Sequence, residues 1–315
     1  MKLLAFLLSY YCAFCFIPFT SPSAYSQSLN ADNLFDFADA LFQEGDYLNA
    51  VHEYKRYLYL YPRTNKSDWV QLRIAAAYQN VGMLQVAIAA YQSLIDTYPN
   101  SPFIEKARSN IAQCQLLQGD EATATASLQQ FLSDYPESEL APRAQFTIAM
   151  IYMEGEDWAS ASKAWQQVVI KYPQTPFGAM SDRLSRMVQY EASLPRRSPT
   201  VAGMLSAAIP GLGQMYSGRF SDGMHSLAVV GALSGGIAYY IDQERDEVAI
   251  PLAIIGLFYH LSNIYRGVES ARAFNLQQEN RLLNEMRKEI SESNLFGASD
   301  RSPSEIPLGC WRSRF

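Results

Sequence analysis

Between residues 31 and 173 the apolar positions repeat on two scales, once at the three-to-four-residue spacing of a helix face and again at a constant interval of 37 residues. A Tyr-Pro pair marks each interval, at Tyr61-Pro62, Tyr98-Pro99, Tyr135-Pro136 and Tyr172-Pro173. Small residues keep the same register at Ala38, Ala75, Ala112 and Ala149, and at Ala50, Ala87, Ala124 and Ala161. Four residues after the second set stands a large side chain: Tyr54, Tyr91, Leu128 or Trp165. Gly45, Gly82 and Gly119 separate the two stretches of each copy, and Gly155 does so one place early in the fourth. Each copy therefore predicts a helix, a glycine turn, a second helix and a proline stop, the alanines letting two antiparallel helices approach closely. One such hairpin leaves an apolar face uncovered, so the four are expected to stack. Leu184, Met187 and Tyr190 at helical spacing predict a capping helix over residues 176–194.

The small, aromatic and proline spacing over residues 31–173 resembles the tetratricopeptide repeat (TPR) family, with three residues per copy beyond its usual 34. The endings Tyr98-Pro99-Asn100-Ser101 and Tyr135-Pro136-Glu137-Ser138 make it similar to envelope tetratricopeptide proteins of Gram-negative bacteria. These include the assembly lipoprotein of the outer-membrane β-barrel machinery and the periplasmic partner of the Tol system. The resemblance implies an all-α solenoid that binds proteins and does no chemistry. It also implies that the first helix of each pair lines a concave groove. That places Phe35, Phe42, Trp69, Leu72, Gln79, Asn80, Gln113, Phe146, Met150 and Met153 near a bound partner. Aromatic and methionine side chains beside amides suit an extended peptide or a partner helix. The apolar ones equally suit packing against the next repeat.

Past the basic, proline-bounded stretch Pro195-Arg196-Arg197-Ser198-Pro199 the pattern changes, and no charged residue occurs in 198–218, 223–241 or 248–265. A charge at a helix centre costs about 2.5–3.5 kcal/mol on membrane insertion, so these windows read as membrane segments and predict a helical domain of two to three spans. The second and third are long enough to cross, with tyrosines near their ends at Tyr239, Tyr240 and Tyr265. The first is interrupted by Pro210, Gly211 and Gly213 and is expected to cross as a broken helix or to be re-entrant. Basic residues favour the cytoplasmic side, and the loop 242–247 is acidic while Arg219, Arg266, Arg272, Arg281, Arg287 and Lys288 lie at the other ends. Three crossings satisfy this bias with the repeats outside and the tail inside, whereas two crossings leave both on one side.

Pro210, Gly211, Gly213, Gln214, Tyr216 and Gly218, followed by Arg219, Asp222 and later Asn263-Ile264-Tyr265, form a P-G-x-G-Q-x-Y-x-G run. Over residues 199–275 it resembles a bacterial membrane domain of unknown function. The proline removes a helix donor and the glycines open backbone geometries closed to other residues. The run therefore reads as a structural elbow, or as a broken-helix site for a small ion or lipid headgroup. Arg219 and Asp222 are placed to pair with each other or to meet a lipid phosphate.

Ahead of the repeats, Lys2, the apolar run 3–19 and Ala24-Tyr25-Ser26 predict an export signal over residues 1–26, cleaved before Gln27 or kept as an anchor. Cys12 and Cys15 fall in that run, leaving Cys114 and Cys310 too far apart for a disulfide framework. The expected organisation is a signal at 1–26, a repeat solenoid at 27–194, a membrane domain at 195–275 and a polar tail at 276–315. In that tail Leu276, Leu283, Met286 and Ile290 make a modest amphipathic helix, expected to be a solvated extension or a cytoplasmic docking helix. Residues 291–315 are expected to be largely disordered.

The net charge of −6 gives no basic footprint for nucleic acid. His52, His225 and His260 sit in no metal-ligand spacing, although the latter two lie in predicted spans, where a paired proton or metal site is the functional reading. No nucleophile elbow, phosphate-cradling loop or paired carboxylates occur. The expectation is a non-enzymatic scaffold without cofactor or metal. It would be anchored in the inner membrane with its repeats in the periplasm, binding an envelope protein or peptide in envelope assembly or secretion. A small transporter or channel-like protein with regulatory repeats is the alternative.

Overall fold

The computed structural model describes residues 30–194, 196–293 and 295–296. The expected leader with Cys12 and Cys15, and Cys310 in the tail, lie outside them. Every regular element among the described residues is a helix. The helices of the expected repeats are α1 (Ala31–Gln43), α2 (Tyr47–Leu60), α3 (Ser67–Asn80), α4 (Leu84–Thr97), α5 (Ile104–Leu117), α6 (Glu121–Asp134), α7 (Ala141–Glu154) and α8 (Trp158–Lys171). The cap is α9 (Pro176–Ser193). There follow α10 (Pro199–Ala208), α11 (Leu212–Tyr216), α12 (Phe220–Asp242) and α13 (Asp246–Glu292).

Each second repeat helix stops at the tyrosine of a Tyr-Pro pair, whose φ lies between −133° and −126°. Proline crowds the helical conformation of the residue before it and has no N–H to continue the ladder. Asp120 and Asp157 start α6 and α8 by accepting from the backbone N–H of Thr123 and Ser160, each at 3.1 Å. These bonds hold both carboxyls below the usual carboxylate range.

The turns explain the misplaced glycine. Gly45, Gly82 and Gly119 turn with φ between +78° and +84°. One full interval later the left-handed position falls on Glu156, at φ +58°, while Gly155 keeps an ordinary φ of −78°. The 37-residue register therefore never slips, and a residue with a Cβ takes the strained conformation. All eight register alanines are completely buried, as are Tyr54, Tyr91 and Trp165.

The chain divides into two compact units, the first ending at Gln118 and the second beginning at Gly119. In the first, one apolar cluster joins α1, α2 and α3 through Leu34, Val51, Tyr54, Tyr57 and Ile74. Another joins α3, α4 and α5 through Leu72, Tyr91, Leu94 and Cys114. In the second, Phe146, Met153, Trp165, Val168 and Leu184 of α7, α8 and α9 share a cluster with Leu282, Leu283, Met286 and Ile290 from the far end of α13.

Of the three charge-free windows, for which two to three spans were expected, two form long helices. α12, with 23 residues, and α13, with 47, are long and apolar enough to cross a membrane by length and composition. Only 6% and 11% of their apolar windows are buried, unlike the core helix of a soluble protein. The first window makes α10 and α11, of 10 and 5 residues. At about 1.5 Å per residue α10 is roughly half of a ~30 Å hydrocarbon layer. The three-crossing arrangement also fails at the tail, because the far end of α13 packs on the last repeat helices and no bilayer can separate them.

Glu156→Gly is expected to stabilise the protein by about 1 kcal/mol and Gly119→Ala to destabilise it by about as much, since each exchanges a Cβ at a left-handed position. Urea titration of the detergent-solubilised chain, followed by tryptophan fluorescence, checks both.

Candidate partner-binding site

In the first unit, α1 and α3 bring aromatic rings around one cation. The Arg73 guanidinium lies 4.5 Å from the Phe42 ring centroid and 4.7 Å from that of Trp69. It also meets the Asp39 carboxylate at 3.2 Å. Tyr54 donates to the same carboxylate at 2.9 Å, and burial together with that bond pushes its phenol well above the usual range. Trp69 in turn stacks obliquely on Phe103, at 5.1 Å between centroids. Phe35 packs edge-on to Tyr57 at 6.0 Å, with the Lys66 ammonium 4.3 Å from its ring. Phe35, Phe42, Trp69 and Arg73 all keep part of their surface in water. Half-exposed Trp and Arg side chains held rigid by neighbours are the composition that dominates binding energy at protein interfaces. Arg73 was missed by the sequence reading. Its signal was its position one turn after Trp69, on the same helix face.

Of the other candidates of this unit, Leu72 and Gln79 are buried, while Asn80 and Gln113 keep part of their surface in water. Leu72 is buried against α4 and α5. Gln79 accepts from the Tyr91 hydroxyl at 2.7 Å and donates to Gln113 at 3.1 Å, while Asn110 donates to the Tyr91 oxygen at 2.9 Å. These amides tie α3, α4 and α5 together across their buried seam, where an unpaired polar group is costly. Asn80 donates to the Ala76 carbonyl of its own helix at 2.9 Å. Beside this network Cys114 is completely buried, and burial pushes its thiol up to about 12.

In the second unit the corresponding face of α7 and α9 is filled. Phe146 and Met153 are completely buried and Met150 packs beside them. What meets them is the amphipathic stretch of the tail, expected as a solvated or cytoplasmic helix and found as the continuous end of α13. Leu276 is exposed, but Leu282, Leu283, Met286 and Ile290 are buried. Phe296 follows, 6.3 Å from Phe146 and 5.8 Å from Phe177, with the Arg143 guanidinium 5.3 Å from its ring. Arg287 pairs both ends of its guanidinium with Glu154, whose side chain is only 3% exposed. Arg183 pairs with Glu289 at the rim. Burying an apolar side chain of this size contributes about 1.5–3 kcal/mol. Removing Arg287 alone would strand a buried carboxylate at a cost of about 3–5 kcal/mol.

The glycine-rich run builds an elbow on α13. Ile209 leaves α10 in extended conformation ahead of Pro210, and Gly211 starts α11 at φ +94°. A Cβ on Gly211 would collide with the Gly223 carbonyl, and one on Gly213 with the Ala202 carbonyl and Ser206. At that close approach Ser206 accepts from the Gly213 N–H at 3.1 Å and donates to Gln214 Oε1 at 3.2 Å. Gln214, 1% exposed, donates to Asn263 Oδ1 at 2.6 Å. Ser217 donates back to the Gly213 carbonyl at 2.9 Å. Tyr216 accepts from the Ser198 N–H at 3.2 Å and lies under the Arg197 guanidinium, 5.0 Å from its centroid. Asn275 holds the backbone of Arg197 at both its N–H and its carbonyl, each at 2.9 Å. Gly218 turns at φ +83°, and Arg219 pairs with Asp222 at 2.5 Å. The motif residues are thus engaged mainly with one another and with α13.

His52 and His225 are exposed, and His260 is half-buried with its Nδ1 unpaired. Among the described residues no three His, Cys, Asp or Glu side chains converge on a metal position.

Residues 27–151 match the YfiO family model, described as an outer membrane lipoprotein, and residues 143–175 match a tetratricopeptide repeat model. No curated protein matches the chain to a significant degree. Among solved structures the chain is similar to a tetratricopeptide repeat protein from Parabacteroides merdae ATCC 43184, at 12% identity and a TM-score of 0.42 over 90% of this chain and 98% of that one. It is also similar to a Podosopora anserina protein with nearly identical TPR-like repeats, at 17% identity and a TM-score of 0.37 over 76% of this chain and 94% of that one.

Because Gln214 donates to Asn263 Oδ1 in a buried site, Gln214→Ala and Asn263→Ala are expected to be non-additive. A double-mutant cycle by denaturant unfolding in detergent should return a coupling of about 0.6–2 kcal/mol.

Proposed function

We propose that this chain is a non-enzymatic scaffold of the cell envelope, in which α12 and α13 form a membrane-spanning hairpin and the tetratricopeptide-type repeats hold a protein or peptide partner. The observation that carries the reading is α13 itself, which runs without a break from an apolar window into the packing of the last repeat helices. Such a helix joins a lipid anchor to a binding module without a linker. The family-model match to residues 27–151 supports an envelope location, and the apolar run 3–19 with Ala24-Tyr25-Ser26, read as an export signal, supports repeats in the periplasm. The partner-contact face is Phe35, Phe42, Trp69 and Arg73. The motif polar groups, engaged mainly with one another, favour an anchor over a transporter, and the family likeness supports a role in envelope assembly or secretion.

A second topology has its own support. With two spans, Arg196, Arg197, Arg219, Arg266 and Arg272 all flank the hairpin on the repeat side, opposite the acidic loop 242–247. The preference of basic residues for the cytoplasm would then place the repeats there.

Green fluorescent protein inserted after Gln243 tests the orientation. Fluorescence is expected, because the loop is cytoplasmic when the repeats are exported; a dark fusion, with an alkaline phosphatase insertion active at the same site, would reverse the assignment. A photocrosslinking amino acid at Phe35 or Trp69 is expected to capture a defined partner in intact cells, and one at Tyr59, 85% exposed on α2, is not. Capture lost in a Trp69→Ala, Arg73→Ala double variant that melts within a few degrees of wild type completes the case. Equal capture from all three positions would sink it.

A further inference from the structure

We infer that the face of α7 and α9 is a receptor for an arginine-bearing amphipathic helix, that the end of α13 is its resident ligand, and that a partner helix enters by displacing it. The inference rests on the scaffold reading and names how one of its surfaces is gated.

Shape, charge and attachment all point to a receptor. Leu282, Leu283, Met286 and Ile290 form one stripe on α13, while Asn284, Glu285 and Lys288 on its other side are exposed. That is the anchor pattern by which a separate helix lies in a groove. The receptor side presents Met180, Leu184 and Val188 of α9 beside Phe146 and Met153 of α7. At the edge of this apolar floor stands Glu154, an acid side chain almost wholly removed from water and matched by Arg287. A buried carboxylate costs the receptor unless a cation arrives with the ligand, so the face selects a helix that carries one. Phe296 seats a last ring between Phe177, Phe146 and Arg143.

The resident helix is also releasable. Before the docked stripe, Leu276, Gln277, Asn280 and Arg281 are exposed, and Asn275 clamps Arg197 just upstream. The docked end is a short terminal stretch, and helices of that length are marginal in water without tertiary contacts, so release and fraying occur together. Tethering keeps it at an effective concentration on the order of millimolar. If the resident helix itself has an intrinsic dissociation constant of about 1–100 μM, any competitor is weakened by about tenfold to a thousandfold while it stays docked.

The probe is a fluorescein-labelled synthetic peptide of residues 278–296, titrated against the full chain in lipid nanodiscs. With Met286→Asp and Ile290→Asp in the chain, which release the resident helix, the peptide is expected to bind at least tenfold more tightly than to wild type. A second set keeps the apolar stripe: a Glu154→Arg chain should prefer a peptide carrying R287E over the wild-type peptide by at least tenfold, and Glu154→Arg with Arg287→Glu in one chain should close the face again. Equal affinity for wild-type and released chains, or binding indifferent to the charge match, would overturn the receptor. If either occurs while crosslinking from Trp69 still captures a partner, the gated face fails and the scaffold stands; if Trp69 captures nothing, the scaffold itself fails.

Discussion

A single 47-residue helix, apolar and exposed in its first part and packed on the last repeat helices at its end, constrains everything else in the second unit. The first part of α13 is apolar around most of its circumference and exposes Ile250, Ile254, Ile255, Leu257, Phe258 and Leu261. Such a surface is stable where the surroundings are hydrocarbon. Its last part is amphipathic and lies on α7 and α9. With no hinge between them, the apolar stretch must begin a fixed distance from the repeats, and both ends of the α12–α13 hairpin must return to the repeat side. The elbow follows from the same demand. A chain leaving α9 and entering α12 must turn beside α13, and the turn is stable because its freed donors are met within protein.

That turn depends on atoms that are absent. Gly211 against Gly223, Gly213 against Ala202, and Gly267 against Ser206 bring three backbones closer than any Cβ permits. Ser206 then reaches two partners at once, the Gly213 N–H and Gln214. Gln214 hands the connection on to Asn263. Close packing through small residues and hydrogen bonds across helices is how helices hold together where lipid competes equally for apolar surface. The run P-G-x-G-Q-x-Y-x-G is therefore a list of what the elbow needs: a break, two close approaches, one donor–acceptor amide and one ring over which Arg197 rests.

The repeats were legible because their signal is redundant. Eight alanines, four Tyr-Pro pairs and three glycines vote for the same register, so Gly155 out of place did not disturb it, and Glu156 kept the turn where the interval put it. The charge-free windows were legible as apolar helices, and of the two to three expected spans two helices are long enough to cross, because absence of charge reports polarity and says nothing of length. Pro210 and Gly211 cut the first window into pieces of 10 and 5 residues. The groove residues divided for a related reason. A helix pattern names the face of a side chain without naming what covers that face, so Leu72, Gln79, Phe146 and Met153 read like Trp69 and proved buried. The tail was misread in the same way. Its stripe was visible at Leu283, Met286 and Ile290, but Leu282 was not counted, and nothing local says that residues as far upstream as those in the Arg183–Glu289 and Glu154–Arg287 pairs, 106 and 133 positions apart, supply the other half.

The two faces differ in a way that bears on what a scaffold can do. The rings and guanidinium of α1 and α3 are ordered by their own neighbours, Arg73 by Asp39, Phe42 and Trp69, so a partner there meets a surface already rigid and loses little entropy by binding. The face of α7 and α9 is ordered by a segment of the same chain whose upstream part is the apolar stretch of α13. Binding at the first is a property of the repeats alone. Occupancy of the second is coupled to the position of α13, and by linkage whatever shifts that helix in its surroundings shifts affinity at the face by the same factor that binding at the face shifts the helix. An anchor built as an independent span on a flexible linker would have no such coupling, and the unbroken 47-residue helix is the physical difference.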